Sequence, residues 1–290
     1  MSRKHQLLAL IVTLIWGTNF VFIKYGLEEL PPFLLATLRF ILAAFPLIFF
    51  LPKPKAKWSA LAAYGLLIGF GQFGLLYFAM QNSISPGLAS IVVQMQVFFS
   101  FIFAIYFFKE SVAFPQWLAL VISFSGIALI ASKADGQTTL FGLTLVLLAG
   151  MNWALGNMVV KKAGKVDIIA FLAYSSLFVI PVLAAMSLYF EGWALIKTSI
   201  QSASMLSVYV VLWQTIGNTL IGYGLWNFLL HRYHATVVTP WALLVPISGM
   251  AASSIMLSEP MPLWKLVAAT LVIIGLGINI YASKKRPNKA

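Results

Sequence analysis

The stretch Trp16-Gly17-Thr18-Asn19-Phe20-Val21-Phe22-Ile23-Lys24 decides the fold, and it lies inside an otherwise apolar run from Leu7 to Leu27. A run of roughly 20 apolar residues is long enough to cross a membrane as a helix. Lipid offers no hydrogen-bond partner to the hydroxyl of Thr18 or the amide of Asn19, so these groups must face protein or a water-filled cavity. The stretch therefore predicts a membrane helix with one polar face.

The same arrangement returns later in the chain. An offset of 138 positions places Asn19 on Asn157, and a tryptophan precedes the asparagine in both copies, Trp16 by three residues and Trp153 by four. Either spacing puts the ring and the amide on one helix face. Two polar and aromatic faces therefore recur in the two halves of one chain.

Composition places the whole chain in the membrane. Of its 290 residues, 61% are hydrophobic and only 9% are charged, and the mean hydropathy is +0.94. These values indicate a multi-pass membrane protein. The short alternating strands of a closed barrel are absent, so we expect an all-α integral membrane protein.

Apolar runs separated by charged residues, proline or glycine predict ten transmembrane helices. The connections between them are short, which leaves no room for a soluble catalytic domain. The predicted helices span residues 6–27, 32–51, 58–80, 86–108, 114–132, 139–161, 167–190, 205–230, 235–257 and 262–283.

The basic residues give the predicted orientation. With the N-terminus in the cytoplasm, 14 lysines and arginines fall on the cytoplasmic side and four on the other, while Arg39 remains inside a span. The positive-inside rule then predicts that both termini are cytoplasmic. The net charge of +12 is explained by topology and anionic lipid headgroups, so we expect no nucleic-acid partner.

A second offset extends the internal repeat. Shifting by 149 positions aligns Glu110 with Glu259 and Gly126 with Gly275. The change from 138 to 149 predicts about 11 extra residues in the second half, in the connection 191–203. We expect a first five-helix repeat over 1–138 and a second over 139–290.

Five helices per repeat is an odd number, so the second half must enter the membrane from the opposite side. Inverted repeats are a transporter architecture, in which the substrate site lies near the midplane and alternating access exposes it to each side in turn. The two glutamates, Glu110 and Glu259, stand at the junctions into the fifth and tenth helices, where we expect them to cap helix ends.

Several short motifs are shared with a known family of membrane proteins. They are Trp-Gly-Thr-Asn-Phe at 16–20, Leu38-Arg39-Phe40, Gly87-Leu88-Ala89-Ser90, and the Glu110/Gly126 and Glu259/Gly275 pairs. Through these motifs the chain resembles the EamA-type branch of the drug/metabolite transporter superfamily over essentially its whole length, and it is most similar to bacterial inner-membrane exporters of cysteine and O-acetylserine. The resemblance implies export of amino acids or related metabolites and localisation in the bacterial inner membrane, but it does not imply the substrate.

Polar and aromatic residues inside the predicted spans form the candidate substrate-binding site. Each tryptophan and asparagine pair offers a flat surface plus an amide, although asparagines that only bond across helices are an equal alternative. The candidates are Trp16, Asn19, Gln94, Trp153, Asn157, Gln214, Asn218 and Tyr223.

The glutamines of the fourth predicted helix and Arg39 of the second can each face in more than one direction. Gln94 and Gln96 are about 200° apart on an α-helix, so we expect only Gln94 to line the path. Arg39 lies roughly 10 Å inside the second helix. We expect its side chain to reach the outer interface, and the alternative is a carboxylate partner, either the substrate's or that of Glu28 or Glu29 in a gate.

The leading function is a secondary exporter of small zwitterionic metabolites such as cysteine or O-acetylserine. Aromatic amino acids and other drugs or metabolites remain alternative substrates, and a channel or a non-transport membrane protein is the alternative class. Walker-type and metal-binding motifs are absent, so we expect no enzyme activity, catalytic residue, metal or cofactor. All seven acidic residues lie at or beyond span ends, which favours facilitated diffusion or exchange over proton coupling. A monomer can suffice, and the oligomeric state stays open.

Overall fold

The computed structural model describes residues 1–108, 114–133, 138–164, 166–233, 238, 241–242 and 244–284. Within these residues every regular element is helical. Nine of the described helices are long and apolar enough to cross a membrane, and Leu244–Leu257 is a shorter apolar helix. The expected class, an all-α integral membrane protein, is confirmed.

The helix bounds follow the predicted spans within a few residues, except in the ninth span. The ninth span, predicted over 235–257, is described as a continuous helix only from residue 244. The helices in chain order are α1 (Arg3–Glu29), α2 (Pro32–Phe49), α3 (Trp58–Asn82), α4 (Pro86–Phe107), α5 (Phe114–Ser132), α6 (Leu140–Ala163), α7 (Ile168–Met186, continued by Ser187–Glu191), α8 (Gly192–Ser202), α9 (205–232), α10 (Leu244–Leu257) and α11 (Leu263–Lys284).

The extra residues of the second half form a helix of their own. Gly192 has a φ of 77°, a conformation that favours glycine, and it ends α7 and begins the 11-residue α8. Ile196 and Ser199 are buried, whereas the Trp193 ring is exposed. This helix is therefore an addition between two membrane spans, at the connection where the change of offset predicted it.

The described residues include three π-helical segments; Ser187–Glu191 ends α7, and the other two lie at related positions in two helices. One segment runs through α3 at Leu66–Gly74, and the other runs through α9 at Trp213–Tyr223. Gly74 and Tyr223, which end the two segments, are 149 positions apart. Because π-helical turns inside α-helices are rare and concentrate at functional sites, these two segments mark where the spans depart from regular packing.

Helices α5 and α11 pack along each other with reciprocal contacts. A Cβ atom added to Gly126 would lie 2.8 Å from the carbonyl oxygen of Ala268, and one added to Gly275 would lie 2.6 Å from that of Ala119. Both residue pairs are related by the 149-residue offset. A contact that is repeated with the partners exchanged is the pattern that a two-fold axis produces.

One end of the bundle carries the start of α1, where His5 Nδ1 lies 2.6 Å from the Tyr233 hydroxyl after the end of α9. We call this the terminal end. At the opposite end, which we call the closed end, carboxylates join neighbouring helices. Glu29 accepts hydrogen bonds from the Ser204 N–H at 3.0 Å and from the Ser207 hydroxyl, at the start of α9.

Two more carboxylates cap helices at the closed end. Glu191 accepts the N–H groups of Phe33 at 2.6 Å and Leu34 at 3.1 Å, which begin α2. Glu259 accepts the Gly87 N–H at 3.0 Å and pairs with Lys265 at 2.8 Å. Anionic groups are favourable at these positive helix ends.

The expectation that Glu259 caps its own tenth helix is therefore corrected. The turn before α11 carries its carboxylate across to the start of α4, where backbone N–H groups need acceptors. Its equivalent, Glu110, lies outside the described residues.

Candidate functional site

A central cavity of about 640 Å³ lies between the helices. It extends from the middle of the bundle toward the terminal end, where Ile168 at the start of α7 and Ile280 near the end of α11 contribute to its wall. Its lining residues are Trp16, Asn19, Phe20, Tyr64, Gln72, Phe73, Leu76, Val93, Gln94, Gln96, Val97, Trp153, Asn157, Val160, Ile168, Asn218, Tyr223, Trp226, Ala242, Val245, Leu276, Asn279 and Ile280.

The structure brings together seven of the eight candidate residues. They come from α1, α4, α6 and α9, and they meet only in the folded bundle. The seven that line the central cavity are Trp16, Asn19, Gln94, Trp153, Asn157, Asn218 and Tyr223. The eighth, Gln214, lies behind the wall and is fully buried.

Trp16 anchors an aromatic corner of the central cavity. Its indole N–H donates to the carbonyl oxygen of Asn218 at 3.3 Å. Its ring centroid lies 5.3 Å from that of Tyr223 and 5.2 Å from that of Trp226. Gly222 makes this possible, since a Cβ there would lie 2.5 Å from the indole nitrogen. The corner therefore has a fixed, flat apolar surface with polar groups at its edges.

Both glutamines of α4 line the cavity, so the expected choice of Gln94 over Gln96 is wrong. Residues 93–95 form a 3-10 turn, which advances about 120° per residue instead of 100°. The two side chains then point about 120° apart the short way round, and their length brings both to the wall. Gln96 Oε1 also accepts a hydrogen bond from Asn157 Nδ2 at 3.4 Å.

Two amide oxygens on the wall have no hydrogen-bond partner among the residues that the structure describes. Asn19 Oδ1 and Gln72 Oε1 are buried, and their side chains belong to residues only 5% and 3% exposed. A buried acceptor without a donor costs about 1–3 kcal/mol. Asn19 and Asn157 therefore differ: the Asn157 amide bonds across helices to Gln96, whereas the Asn19 oxygen is unused.

The wall carries no charged side chain and no histidine among the residues that the structure describes. Its polar groups are amides, the hydroxyls of two tyrosines and indole nitrogens. Such a lining can bind a molecule with donors and acceptors, but it gives no direct partner for a net charge. Within the described part of the chain, no group of acidic, histidine or cysteine side chains is arranged to hold a metal ion.

Four wall residues were missed as candidates. Gln72 and Asn279 are amides within apolar spans, the same signal that selected Asn19. Trp226 lies three residues after Tyr223 and so shares its helix face. Tyr64 carries no such signal, because a tyrosine near a span end is also typical of the membrane interface.

Arg39 does not reach the interface, contrary to expectation. It is 2% exposed, and its guanidinium donates to the Tyr77 hydroxyl at 2.7 Å, to Gln214 Oε1 at 3.1 Å and to Thr219 Oγ1 at 3.3 Å. These neutral acceptors hold the side chain inside the bundle, where it cannot snorkel. Neither Glu28 nor Glu29 pairs with it, since Glu29 is bound to the start of α9.

These features define a multi-pass helical membrane protein with a ligand-sized cavity between its helices, the class to which membrane transporters belong. Comparison with known proteins then gives the family. The sequence profile of the EamA-like transporter family matches residues 3–132 and 140–281. The chain belongs to this family and is a transporter.

Relatives match over nearly their whole length. A Salmonella typhimurium protein named probable amino-acid metabolite efflux pump is 38% identical over 292 residues, covering 99% of this chain and 98% of the relative. An Escherichia coli protein of the same name is 36% identical over 293 residues, with the same coverage. A Bacillus subtilis protein named as an uncharacterized transporter is 27% identical over 95% of this chain and 96% of its own.

A solved crystal structure supports the fold. It covers 99% of this chain and 100% of its own with a TM-score of 0.63, at 14% sequence identity. At that identity the likeness concerns the fold alone.

Proposed function

We propose that this protein exports small zwitterionic amino acids or related metabolites, of the cysteine and O-acetylserine kind, across the bacterial inner membrane by alternating access. The observation that carries the proposal is the uncharged wall of amides and aromatic rings around the central cavity. A molecule without net charge matches such a wall. The volume falls within the roughly 300–1,000 Å³ typical of small-molecule sites.

Two inverted five-helix repeats would supply the alternating access. The family profile matches the chain twice, and α5 and α11 exchange reciprocal contacts through Gly126 and Gly275. The π-helical segments of α3 and α9 fall at equivalent places. All three observations support repeats over 1–138 and 139–290, which place a substrate site at their interface.

The cavity and the closed end support an inward-facing state. The wall runs toward the terminal end, and carboxylate contacts join the helices at the other. If both termini are cytoplasmic, the site is open to metabolites in the cell. A fluorescent-protein fusion after the last residue should therefore fluoresce, whereas an alkaline phosphatase fusion there should be inactive. The opposite result would mean that the cavity opens to the side of the membrane away from the cytoplasm.

The relatives support amino-acid metabolites as cargo, because two of them carry the name probable amino-acid metabolite efflux pump over nearly their full length. Aromatic amino acids are the second candidate. Trp16, Tyr223 and Trp226 form a corner on which an aromatic side chain can stack.

Counterflow in proteoliposomes tests the proposal. Vesicles loaded with unlabelled cysteine, O-acetylserine or phenylalanine should accumulate the labelled compound transiently if it is a substrate. Asn157→Ala should abolish accumulation, whereas Asn152→Ala, which changes an amide on the same helix outside the cavity wall, should not. Folded protein that exchanges none of the three compounds would contradict the proposed cargo class.

A further inference from the structure

Arg39 is a buried cation without an anion. Its three hydrogen-bond acceptors, on Tyr77, Gln214 and Thr219, are all neutral, and no carboxylate of the described residues lies within 4 Å of its guanidinium. Desolvating an unpaired charge costs several kcal/mol, and charged side chains inside a membrane protein are usually paired. A side chain that only held α2, α3 and α9 together would not need a positive charge.

The surroundings of Arg39 have surplus donors. Gln214 Oε1 accepts from both Arg39 and the Tyr77 hydroxyl, at 3.1 and 3.0 Å. The other end of that amide, Gln214 Nε2, is buried without a partner. A guanidinium has five N–H donors, so the cluster combines a positive charge with donors that its own acceptors do not use. A carboxylate is the group that satisfies both.

The Phe73 ring connects this cluster to the central cavity. The Arg39 guanidinium carbon lies 3.7 Å from the centroid of the Phe73 ring, and Phe73 lines the cavity. Asn218, on the same π-helical segment as Gln214 and Thr219, also lines it. Phe73 belongs to the other π-helical segment.

Both segments are wider than an α-helix, and Phe73 is followed by Gly74. Because Phe73 contacts both the guanidinium and the cavity, a shift of its ring would bring the guanidinium closer to the cavity.

The cavity wall holds the complementary acceptors. Asn19 Oδ1 and Gln72 Oε1 are buried, unpartnered oxygens, which suit the three N–H donors of an ammonium group. The donors behind Phe73 and the acceptors on the wall are the types of group that bind the carboxylate and the ammonium of an α-amino acid.

Resting on the proposed function, we infer that Arg39 and the Gln214 amide nitrogen bind the substrate carboxylate when the Phe73 ring moves aside, while Asn19 and Gln72 accept hydrogen bonds from the substrate ammonium. The inference gives the transporter a requirement for a free carboxylate. It also explains how an uncharged wall selects a zwitterion.

The test measures binding in detergent through the fluorescence of the tryptophans on the wall, independently of transport. L-serine is compared with L-serinamide, and L-phenylalanine with L-phenylalaninamide, because each pair differs in the carboxylate. Wild-type protein should bind the carboxylate member about tenfold to a hundredfold more tightly, the range for a hydrogen-bonded charge. Arg39→Gln should reduce that ratio below about threefold, and Arg39→Lys should retain part of it.

Arg3→Gln, an exposed arginine outside the cavity, is the matched control and should keep the wild-type ratio. Equal wild-type binding of acid and amide, an absence of binding, or an Arg39→Gln ratio equal to wild type would each overturn the inference. Binding with the expected ratio but no counterflow would instead contradict the proposed function.

If Arg39→Gln does not fold, Phe73→Leu decides the question. Removing the ring face uncovers the guanidinium, so the acid-to-amide ratio should rise at least about threefold. An unchanged ratio in folded Phe73→Leu protein would overturn the inference.

Discussion

Gly222 is the residue on which the aromatic corner depends. Gly222→Ala would place a Cβ 2.5 Å from the Trp16 indole nitrogen, so the ring must move and lose its hydrogen bond to Asn218. We expect counterflow to fall at least tenfold, with about 1–3 kcal/mol lost from unfolding free energy through overpacking. Gly224→Ala is the control, because only Ile169 Cδ1 lies near, at 3.9 Å. Equal counterflow by Gly222→Ala and Gly224→Ala would contradict a role of the aromatic corner in transport.

Asn19 should show a conflict between stability and activity. Asn19→Leu removes a buried acceptor that has no partner, so thermal stability in detergent should stay equal or rise by about 1 kcal/mol, whereas counterflow should be lost. Asn157→Leu removes a hydrogen bond to Gln96 and should lower both stability and counterflow. A marked loss of stability in Asn19→Leu would mean that its amide serves packing.

At the scale of elements, the cap of α2 holds the closed end together. Glu191→Gln replaces a carboxylate that accepts two backbone N–H groups, at a cost of about 0.5–2 kcal/mol. The chain has no cysteine, so a single Val93→Cys on the cavity wall can report access. Labelling of that cysteine by an impermeant maleimide from the closed end should increase several-fold.

The exposed Glu28 supplies the control for this experiment. Glu28→Gln changes a neighbouring carboxylate at the end of α1 and should leave the labelling rate unchanged. If Val93→Cys is labelled at the same rate with and without Glu191→Gln, the cap does not restrain the closed end.

In the whole molecule, the reciprocal packing of α5 and α11 gives Gly126 and Gly275 corresponding positions. Each faces a backbone carbonyl of the opposite helix, within 2.8 and 2.6 Å of a built Cβ. A Cβ at Gly275 would also lie 2.1 Å from the Ser123 hydroxyl, which can rotate away. Gly126→Ala and Gly275→Ala should therefore both destabilise the protein, by similar amounts of about 1–3 kcal/mol. Gly277→Ala meets nothing within 4 Å and should be neutral or stabilising by up to about 1 kcal/mol. Strongly unequal effects in chemical denaturation would contradict the symmetry.

Hydropathy and turn residues suffice for most helix bounds, because the bilayer imposes length and polarity on each span separately. The seven candidate residues on the cavity wall were found for the same reason: polar groups in lipid need an inward face. Gln96 and Gln214 were misjudged because their outcome depends on local departures from the α-helix, a 3-10 turn and a π-helical segment, which leave no periodic signal. The burial of Arg39 depends on acceptors from two distant helices.

The added helix α8 has no counterpart in the connection 52–57 of the first half. Two identical halves would make the inward and outward states mirror images of equal free energy, each occupied half of the time. A segment present in one half only removes that degeneracy, and each 1.4 kcal/mol it contributes changes the ratio of the states tenfold. Because it joins α7, whose end carries the Glu191 cap, to α9, whose start is held by Glu29, its contacts bear directly on the closed end. If the protein works by the proposed alternating access, the contacts of this surface helix contribute to the resting occupancy of the empty carrier, although the helix lies outside the cavity wall.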